Sequence, residues 1–424
     1  MGVFGAERCA AQGAFFEGGE ATGAGATFEG RFGNRRGSGI VHRASIDLSL
    51  VRAVDSHDGS VNTPKTGLKW SRGNNLVRRA LMRIGVLTAG GDAPGLNAAI
   101  RGLGMMAFRD GHELIGVANG WAGLAGDYSG RSLALEDLTG IVGQGGTLLG
   151  TARYNLDDPK GGRERVLDAL EEHLDALVAI GGDGTQRISN WLAERGAPVI
   201  GVPKTLDNDL VGTDYCIGFD TAVSIVAESL DRLYTTAASH HRVMVVETMG
   251  RATGWVAAMG GLAGGADLIV IPEFPLTMEQ IIAHLVKRRS SNSAFSIVVV
   301  AEGINLETLG CAVHDEVSTE GIGGVRLATR GVGQFVAAQI DAHGGFEVRT
   351  TVLGHLQRGG SPSAYDRIWA TRVGAAAYDA VVAGKFGMIP VVQGNQVELT
   401  PLSTVATGQR KVPRELYDLC AAFF

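Results

Sequence analysis

The densest chemistry in this sequence lies in Pro203-Lys204-Thr205-Leu206-Asp207-Asn208-Asp209. Two carboxylates two residues apart, beside a hydroxyl and an ammonium, form a polar cluster that a purely structural loop rarely needs. A carboxylate held against a substrate hydroxyl can accept its proton as the oxygen attacks phosphorus. General-base help of this kind contributes about 10²- to 10⁴-fold. The competing reading is an Asx turn with its caps.

Upstream, Gly181-Gly182-Asp183-Gly184-Thr185 sets a carboxylate among glycines. Such a group can hold a magnesium ion whose other ligands are phosphate oxygens and water, or can simply cap a helix. The stretch Thr88 to Asn97 (TAGGDAPGLN) fits a phosphate cradle. Glycines let backbone N–H groups approach an oxyanion, and a following helix adds positive potential at its start. A plain tight turn explains that stretch equally well. Arg242 and Arg251 flank one apolar run, and Arg349, His355, Gln357 and Arg358 surround another. Guanidinium groups bind multi-oxygen anions bidentately and stay charged. One arginine would be an ordinary surface residue, and His355 alone reads more readily as a structural histidine. Several arginines beside such runs point to a phosphorylated ligand.

These groups sit just after short apolar runs. The patterns predict strands over Ile84–Thr88, Leu114–Ala118, Ala176–Ile180, Val199–Val202, Val243–Glu247, Leu268–Ile271, Ile297–Ala301 and Arg349–Leu353. Helices are expected over Leu96–Phe108, Arg163–His173, Ala222–Thr235, Met278–Arg288 and Tyr365–Val382. Near-continuous apolar strands alternating with helices imply parallel sheets covered on both faces, a doubly wound α/β architecture. Such sheets bind ligands at the carboxyl ends of their strands, where the polar groups above fall.

With 424 residues the chain is long enough for two to three domains at about 150 residues each. It is 45% hydrophobic and 19% charged, an ordinary globular balance. A net charge of -6 gives no global drive toward nucleic acid or anionic lipid. No apolar stretch approaches the roughly 20 residues of a membrane helix. Cys9, Cys216, Cys311 and Cys420 are scattered and form no CxxC, so a cytoplasmic setting is expected. The first residues lack the apolar core of a secretory signal. Residues 1–81 carry 11 Lys and Arg against 7 Asp and Glu and little periodicity, whereas the remainder carries 27 against 37. They are expected to be a disordered extension or the product of a misplaced start at a site upstream of Met82.

Seven blocks together resemble the 6-phosphofructokinase family: IGVLTAGGDAPGLNAAIRG from Ile84, GTLLGTARY from Gly146, GGDGT from Gly181, PKTLDND from Pro203, GTDYCIGFDTA from Gly212, VVETMGRATGW from Val245 and VLGHLQRGGSPSAYDR from Val352. Lipid and NAD kinases share only GGDGT. The likeness runs from Met82 to about Gly384. It implies two doubly wound, mainly parallel-sheet domains with the active site in the cleft between them: residues 82–218 plus 357–407 for the nucleotide, and 219–356 plus 408–424 for the sugar phosphate.

By that resemblance Asp207 is the base for the sugar 1-hydroxyl, Thr205 positions the substrate, Asp183 is the magnesium carboxylate with Asp209 nearby, and Arg251 and Lys204 are cations near the transferred phosphoryl. Gly90, Arg153, Tyr154, Gly182, Gly184 and Thr185 match donor contacts. Met249, Gly250, Glu302, His355 and Arg358 match the sugar-phosphate pocket. Arg242 and Arg349 match arginines supplied across a subunit boundary, which implies a homo-oligomer, a dimer or tetramer. The implied activity is transfer of the γ-phosphoryl of ATP to fructose 6-phosphate with Mg2+, in glycolysis. Pyrophosphate is the alternative donor: family members that use it resemble one another in an Asp after GGD and a Lys in the PKT block, and this chain has Gly184 and Lys204. Gly184 leaves room, free of negative charge, for an α-phosphate, which favours ATP. A silent sugar-phosphate-binding subunit is the third reading, against which Asp183, Asp207 and Arg251 all speak. The effector arginines of allosteric members are matched at Arg101 but replaced at Met105 and Tyr234, so an effector site of that kind is not expected.

Overall fold

The computed structural model of the chain describes residues 27–28, 44–45, 67–70, 76–79, 81–157, 162–291, 293–310 and 331–424. Met1–Pro64 and Lys65–Phe424 form separate compact units. The described residues of the first are one antiparallel pair, Thr27–Phe28 with Ala44–Ser45. The expectation for residues 1–81 otherwise falls almost wholly outside the described residues. The second unit contains a short antiparallel pair, Gly67–Trp70 with Leu76–Arg79, and two larger sheets.

The first sheet is built from β1 (Arg83–Ala89), β2 (Glu113–Val117), β3 (Gly130–Ser132), β4 (Ala176–Gly181), β5 (Val199–Pro203), β10 (Met388–Gln393) and β11 (Gln396–Pro401). Its order is β11-β10-β5-β4-β1-β2-β3, parallel from β10 to β2 with an antiparallel strand at each edge. Around it lie α1 (Leu96–Arg109), α2 (Gly162–His173), α3 (Asp183–Ala193) and α8 (Ala364–Val382). Every residue of β4 and β5 is buried, as a doubly covered sheet requires.

The second sheet is fully parallel: β6 (Val243–Thr248), β7 (Leu268–Val270), β8 (Ser296–Ala301) and β9 (Val348–Val352), in the order β7-β8-β6-β9. Its helices are α4 (Phe219–His240), α5 (Trp255–Ala263), α6 (Met278–Ser290), α7 (Val332–Gly344) and α9 (Arg414–Ala421). In both sheets the strand order reverses direction at a central strand, β1 and β6, and a reversal of this kind opens a crevice at the carboxyl ends.

The chain crosses between the sheets after β5, after β9 and after β11. At the first crossing Asp366 of α8, fully buried, accepts hydrogen bonds from the Tyr215 hydroxyl, Gly218 N (2.6 Å), Thr221 N (2.9 Å) and the Thr221 hydroxyl. This buried carboxylate ties the start of α4 to the helix that covers the first sheet. At the last crossing α9 docks on the second sheet through the Tyr417 hydroxyl, which donates to Ile269 O (3.2 Å).

All eight expected strands and all five expected helices form. The hairpin β10–β11, the edge strand β3 and helices α3, α5, α7 and α9 were not anticipated. The segment WVAAMGGLA of α5 is apolar on nearly every side and so lacks a helical period. The hairpin turns at Gly394-Asn395, a two-residue signal that was present in the sequence. Among the described residues no helix is long and apolar enough to cross a membrane.

Candidate active site

β5 ends at Pro203, and the chain then turns through Lys204 to Asp209. Asn208 holds the turn: it adopts a left-handed φ of 51°, its Oδ1 accepts from Cys216 N (2.9 Å) and its Nδ2 donates to Asp214 O (3.2 Å). Thr205 Oγ1 accepts from Asp207 N (3.2 Å). The Lys204 side chain is buried, and its Nζ donates to Ala89 O (3.1 Å) and to Gly91 O. Its ammonium therefore pins the glycine loop after β1. Burial first, then the charge of Arg358, lowers the Lys204 pKa to about 7.

Asp207 Oδ1 is buried and has no hydrogen-bond partner among the described residues. Burial raises the pKa of this carboxyl, against the opposing pull of Arg358, Arg251 and Lys204. Asp209 is pushed up to about 6 by burial and by the charges of Asp207 and Asp183. Glu302, just after β8, is pushed up to about 7 by burial and by the charges of Asp207 and Glu247. A loop of the first sheet and a turn of the second thus bring acidic groups close enough to oppose one another's ionisation.

The second sheet contributes the turn after β6. Met249 N donates to Gln357 Oε1 (3.2 Å), and Glu302 N donates to Thr248 O (2.9 Å). Gly250 has a φ of 142°, and a Cβ there would lie 2.6 Å from Thr253 O, so only glycine fits. Arg251 follows, exposed, with its charge acting on Asp207. After β9, a single-turn segment (Gly354–Arg358) carries Arg358 back to the first sheet, where Nη1 donates to Asp92 O (2.9 Å). His355 is exposed in the same segment.

Asp183 opens α3 at the end of β4, next to Gly182, Gly184 and Thr185. Both of its oxygens accept from Arg187, from Nε at 3.0 Å and from Nη2. The segment after Gly146 folds over the β1 loop: Thr88 Oγ1 donates to Gly150 O (2.9 Å) and Thr151 Oγ1 to Gly90 O (2.7 Å). This leaves Arg153 exposed, while the Tyr154 hydroxyl accepts from Arg165 (3.2 Å).

Arg242 and Arg349 lie elsewhere. They flank the amino ends of β6 and β9, and both donate to Glu347 Oε1, from Arg242 Nε at 2.8 Å and Arg349 Nη2 at 2.7 Å. The six-residue strand β6 separates Arg242 from the Met249–Arg251 turn, roughly 20 Å at 3.3 Å per residue. Neither arginine belongs to the cluster that contains Asp207.

Residues not anticipated from sequence include Asp92, Arg187, Glu247 and Arg410. Asp92 contributes a backbone carbonyl, for which no side-chain signal exists. Arg187 lies four residues after Asp183, an i,i+4 helical pairing that was legible once α3 is recognised.

Among the described residues no group of three or more His, Cys, Asp and Glu side chains is gathered to hold a metal ion. The described residues therefore offer one or two carboxylates, not a protein cage. That donor set suits magnesium carried with a phosphate ligand, and the mutual repulsion around Asp209 is what a cation would relieve.

Residues 83–381 match the sequence profile described as Phosphofructokinase. The chain is 48% identical over 349 residues to the ATP-dependent 6-phosphofructokinase of Chloroflexus aggregans, covering 80% of this chain and 95% of that one. It is 46% identical over 346 residues to the pyrophosphate–fructose 6-phosphate 1-phosphotransferase of Amycolatopsis methanolica, covering 81% and 100%. Among solved structures it is similar to the Pichia pastoris phosphofructokinase in the T-state, with a TM-score of 0.68 and 29% identity, over 81% of this chain and 36% of the Pichia chain.

Proposed function

The chain belongs to the phosphofructokinase family, and on that premise we propose that it transfers the γ-phosphoryl group of ATP to the 1-hydroxyl of fructose 6-phosphate, giving fructose 1,6-bisphosphate and ADP. The observation that carries this reading is the unpartnered, buried Oδ1 of Asp207 between the carboxyl ends of the two sheets. A buried acceptor without a donor is costly in a finished structure, and an incoming hydroxyl supplies the missing partner.

In this reading Asp207 accepts the proton of the sugar 1-hydroxyl as that oxygen attacks the phosphorus. Burial raises the pKa of Asp207, which makes it a stronger base. The charge of Arg358, the backbone and charge of Arg251, and the charge of Lys204 offset part of the cost of burial and favour the ionised form. Thr205 orients the base loop, while Arg251 meets the negative charge that spreads over the transferred oxygens. Arg358, Glu302, Met249, Gly250 and His355 receive the sugar phosphate, with Asp209 beside them. Gly90, Gly182, Gly184, Thr185, Arg153 and Tyr154 receive the donor. Asp183 would hold Mg2+, with Asp209 near it. That ion, when bound, screens the polyphosphate charge.

Arg242 and Arg349 cannot reach their own chain's site from the amino ends of β6 and β9. We assign them to the sugar phosphate of a neighbouring subunit, so the working unit is a homo-oligomer, a dimer or a tetramer. The division into a donor domain (82–218 plus 357–407) and a sugar-phosphate domain (219–356 plus 408–424) belongs to the same reading.

Pyrophosphate as donor is the second reading. It is favoured by Lys204, seated beneath the Gly90-Gly91 loop, and by the relative from Amycolatopsis methanolica. Phosphorylation of fructose 6-phosphate, measured side by side with ATP and with pyrophosphate in the presence of magnesium, separates the two. Turnover with ATP at least tenfold above that with pyrophosphate is expected. Turnover with neither would overturn the assignment. Asp207→Asn is expected to lower kcat by about 10²- to 10⁴-fold.

A further inference from the structure

We propose that Arg410 is a positioning residue: it registers the Asp207 loop of the first sheet against the Arg251 turn of the second. It lies in the last crossing, between β11 and α9, outside the residues 83–381 that match the family profile. This inference rests on the reading of Asp207 as the base.

The crossing runs alongside the base loop as a short piece of β pairing. Gln409 forms an antiparallel bridge with Leu210, and Arg410 N donates to Asp209 O (2.7 Å). The Arg410 side chain adds a bond from Nη1 to Asn208 O (3.5 Å) and stacks over Trp255, 4.1 Å from the ring centroid. Trp255 is the first residue of α5, and its Nε1 donates back to Arg410 O (2.9 Å). The same turn reaches the base loop directly, since Thr253 Oγ1 donates to Asp207 O (3.3 Å). Glu273 closes the ring of contacts by accepting from Gly254 N (3.0 Å) and from Val412 N (3.2 Å).

Three consecutive carbonyls of the base loop, those of Asp207, Asn208 and Asp209, are thus held by donors from the Arg251 turn and from the crossing. Arg410 is the one residue in this ring that touches both partners through its side chain. A planar guanidinium can lie flat on an indole while donating edge-on to a carbonyl, whereas a lysine ammonium cannot do both in one geometry. Arg410 is also partly buried, with no carboxylate within ion-pair distance among the described residues and the charge of Asp214 acting on it from further away. Its placement makes sense where register between two loops carries a reaction, since a misplacement of about 1 Å can cost about 10²-fold in rate.

The test uses the full-length protein. Arg410→Met keeps the stem and the backbone donor to Asp209 O but removes the stack and the Nη1 bond. It is expected to lower kcat about tenfold, leave KM for ATP and fructose 6-phosphate within about twofold, and leave the melting temperature within a few degrees. Trp255→Phe keeps the ring face and removes the Nε1 donor, and it is expected to lower kcat by a smaller factor. The double variant should lose less than the product of the two separate losses, because the two residues touch and hold the same register. A kcat for Arg410→Met within twofold of wild type, or losses that multiply independently in the double variant, would overturn the proposal. Arg410→Lys provides the same test should the Met variant fold poorly: an intermediate kcat at wild-type melting temperature supports the proposal, and a wild-type kcat sinks it. Asp207→Asn serves as the control. If it retains full turnover, the base assignment itself fails; if it is inactive while Arg410→Met is normal, only the positioning role fails.

Discussion

Arg187 grips both carboxylate oxygens of Asp183 from one turn further along α3. Asp183 is the proposed metal carboxylate, so a divalent cation arriving with its nucleotide meets a ligand already paired. The pair is largely solvent-facing on the arginine side, with 63% of that side chain exposed, and exposed i,i+4 pairs are weak. Arg187→Met is therefore expected to tighten Mn2+ binding about two- to fivefold in the presence of a non-hydrolysable ATP analogue. Asp183→Asn is expected to weaken it by at least tenfold. Electron paramagnetic resonance of the free Mn2+ reads both. Weaker binding in Arg187→Met would mean that the arginine stays and helps.

Gly91 lies under Arg358, and a Cβ there would fall 2.7 Å from Nη1. The obstacle is the far end of a long side chain, so the fold should tolerate Gly91→Ala while Arg358 gives way. We expect KM for fructose 6-phosphate to rise about tenfold, the worth of one charge-assisted bond, with kcat and melting temperature little changed. Steady-state kinetics with varied sugar phosphate decides this, and an unchanged KM would remove Arg358 from the sugar-phosphate pocket.

Glu302 gives a pH signature. Its folded pKa of about 7 exceeds the ordinary value of 4.5, so between those values the folded chain binds more protons than the unfolded one. The stability that this group contributes is present below pH 4.5 and is lost as pH rises through 7. Glu302→Gln, which cannot ionise, should be close to wild type in stability near pH 4.5 and more stable above pH 7. The gain should be about 1 to 2 kcal/mol, less than the whole shift implies because the side chain is partly open to water. Chemical denaturation of the ligand-free protein at both pH values tests the sign. A parallel pH dependence in the two proteins would contradict the burial argument.

Gly184 stands beside Asp183 at the start of α3. Gly184→Asp places a second carboxylate where the α-phosphate of ATP is proposed to lie, adding repulsion and bulk. A fall in kcat/KM for ATP of at least about 10²-fold is expected, with a smaller effect on pyrophosphate. Equal losses with both donors would contradict the space argument.

How far the sequence could be read differs from element to element. The apolar runs predicted every central strand because a strand covered on both faces admits few residue types, and β4, β5, β6 and β8 are buried throughout. Motifs that follow such strands were legible for the same reason, since chemistry at a carboxyl end must lie within a few residues of the last apolar position. Hence Asp183, Lys204, Asp207 and Arg251 were all singled out, whereas Glu302 came only from the family resemblance. Helix α5 was missed because it is apolar around its whole circumference, and α3 because it begins inside a glycine-rich motif.

The linear order of residues was enough to establish a doubly wound α/β chain, the ends of its strands as the place of chemistry, and phosphoryl transfer as the chemistry those side chains suit. It could not establish which groups face one another. That Lys204 spends its donors on Ala89 and Gly91, that Asp207 is left with an unpartnered oxygen, and that Arg410 reaches Asn208 from 202 residues away were decided by packing alone. The physical reason is that local periodicity encodes only what a segment buries, whereas hydrogen-bond partners and pKa values depend on which distant segments the sheets bring together.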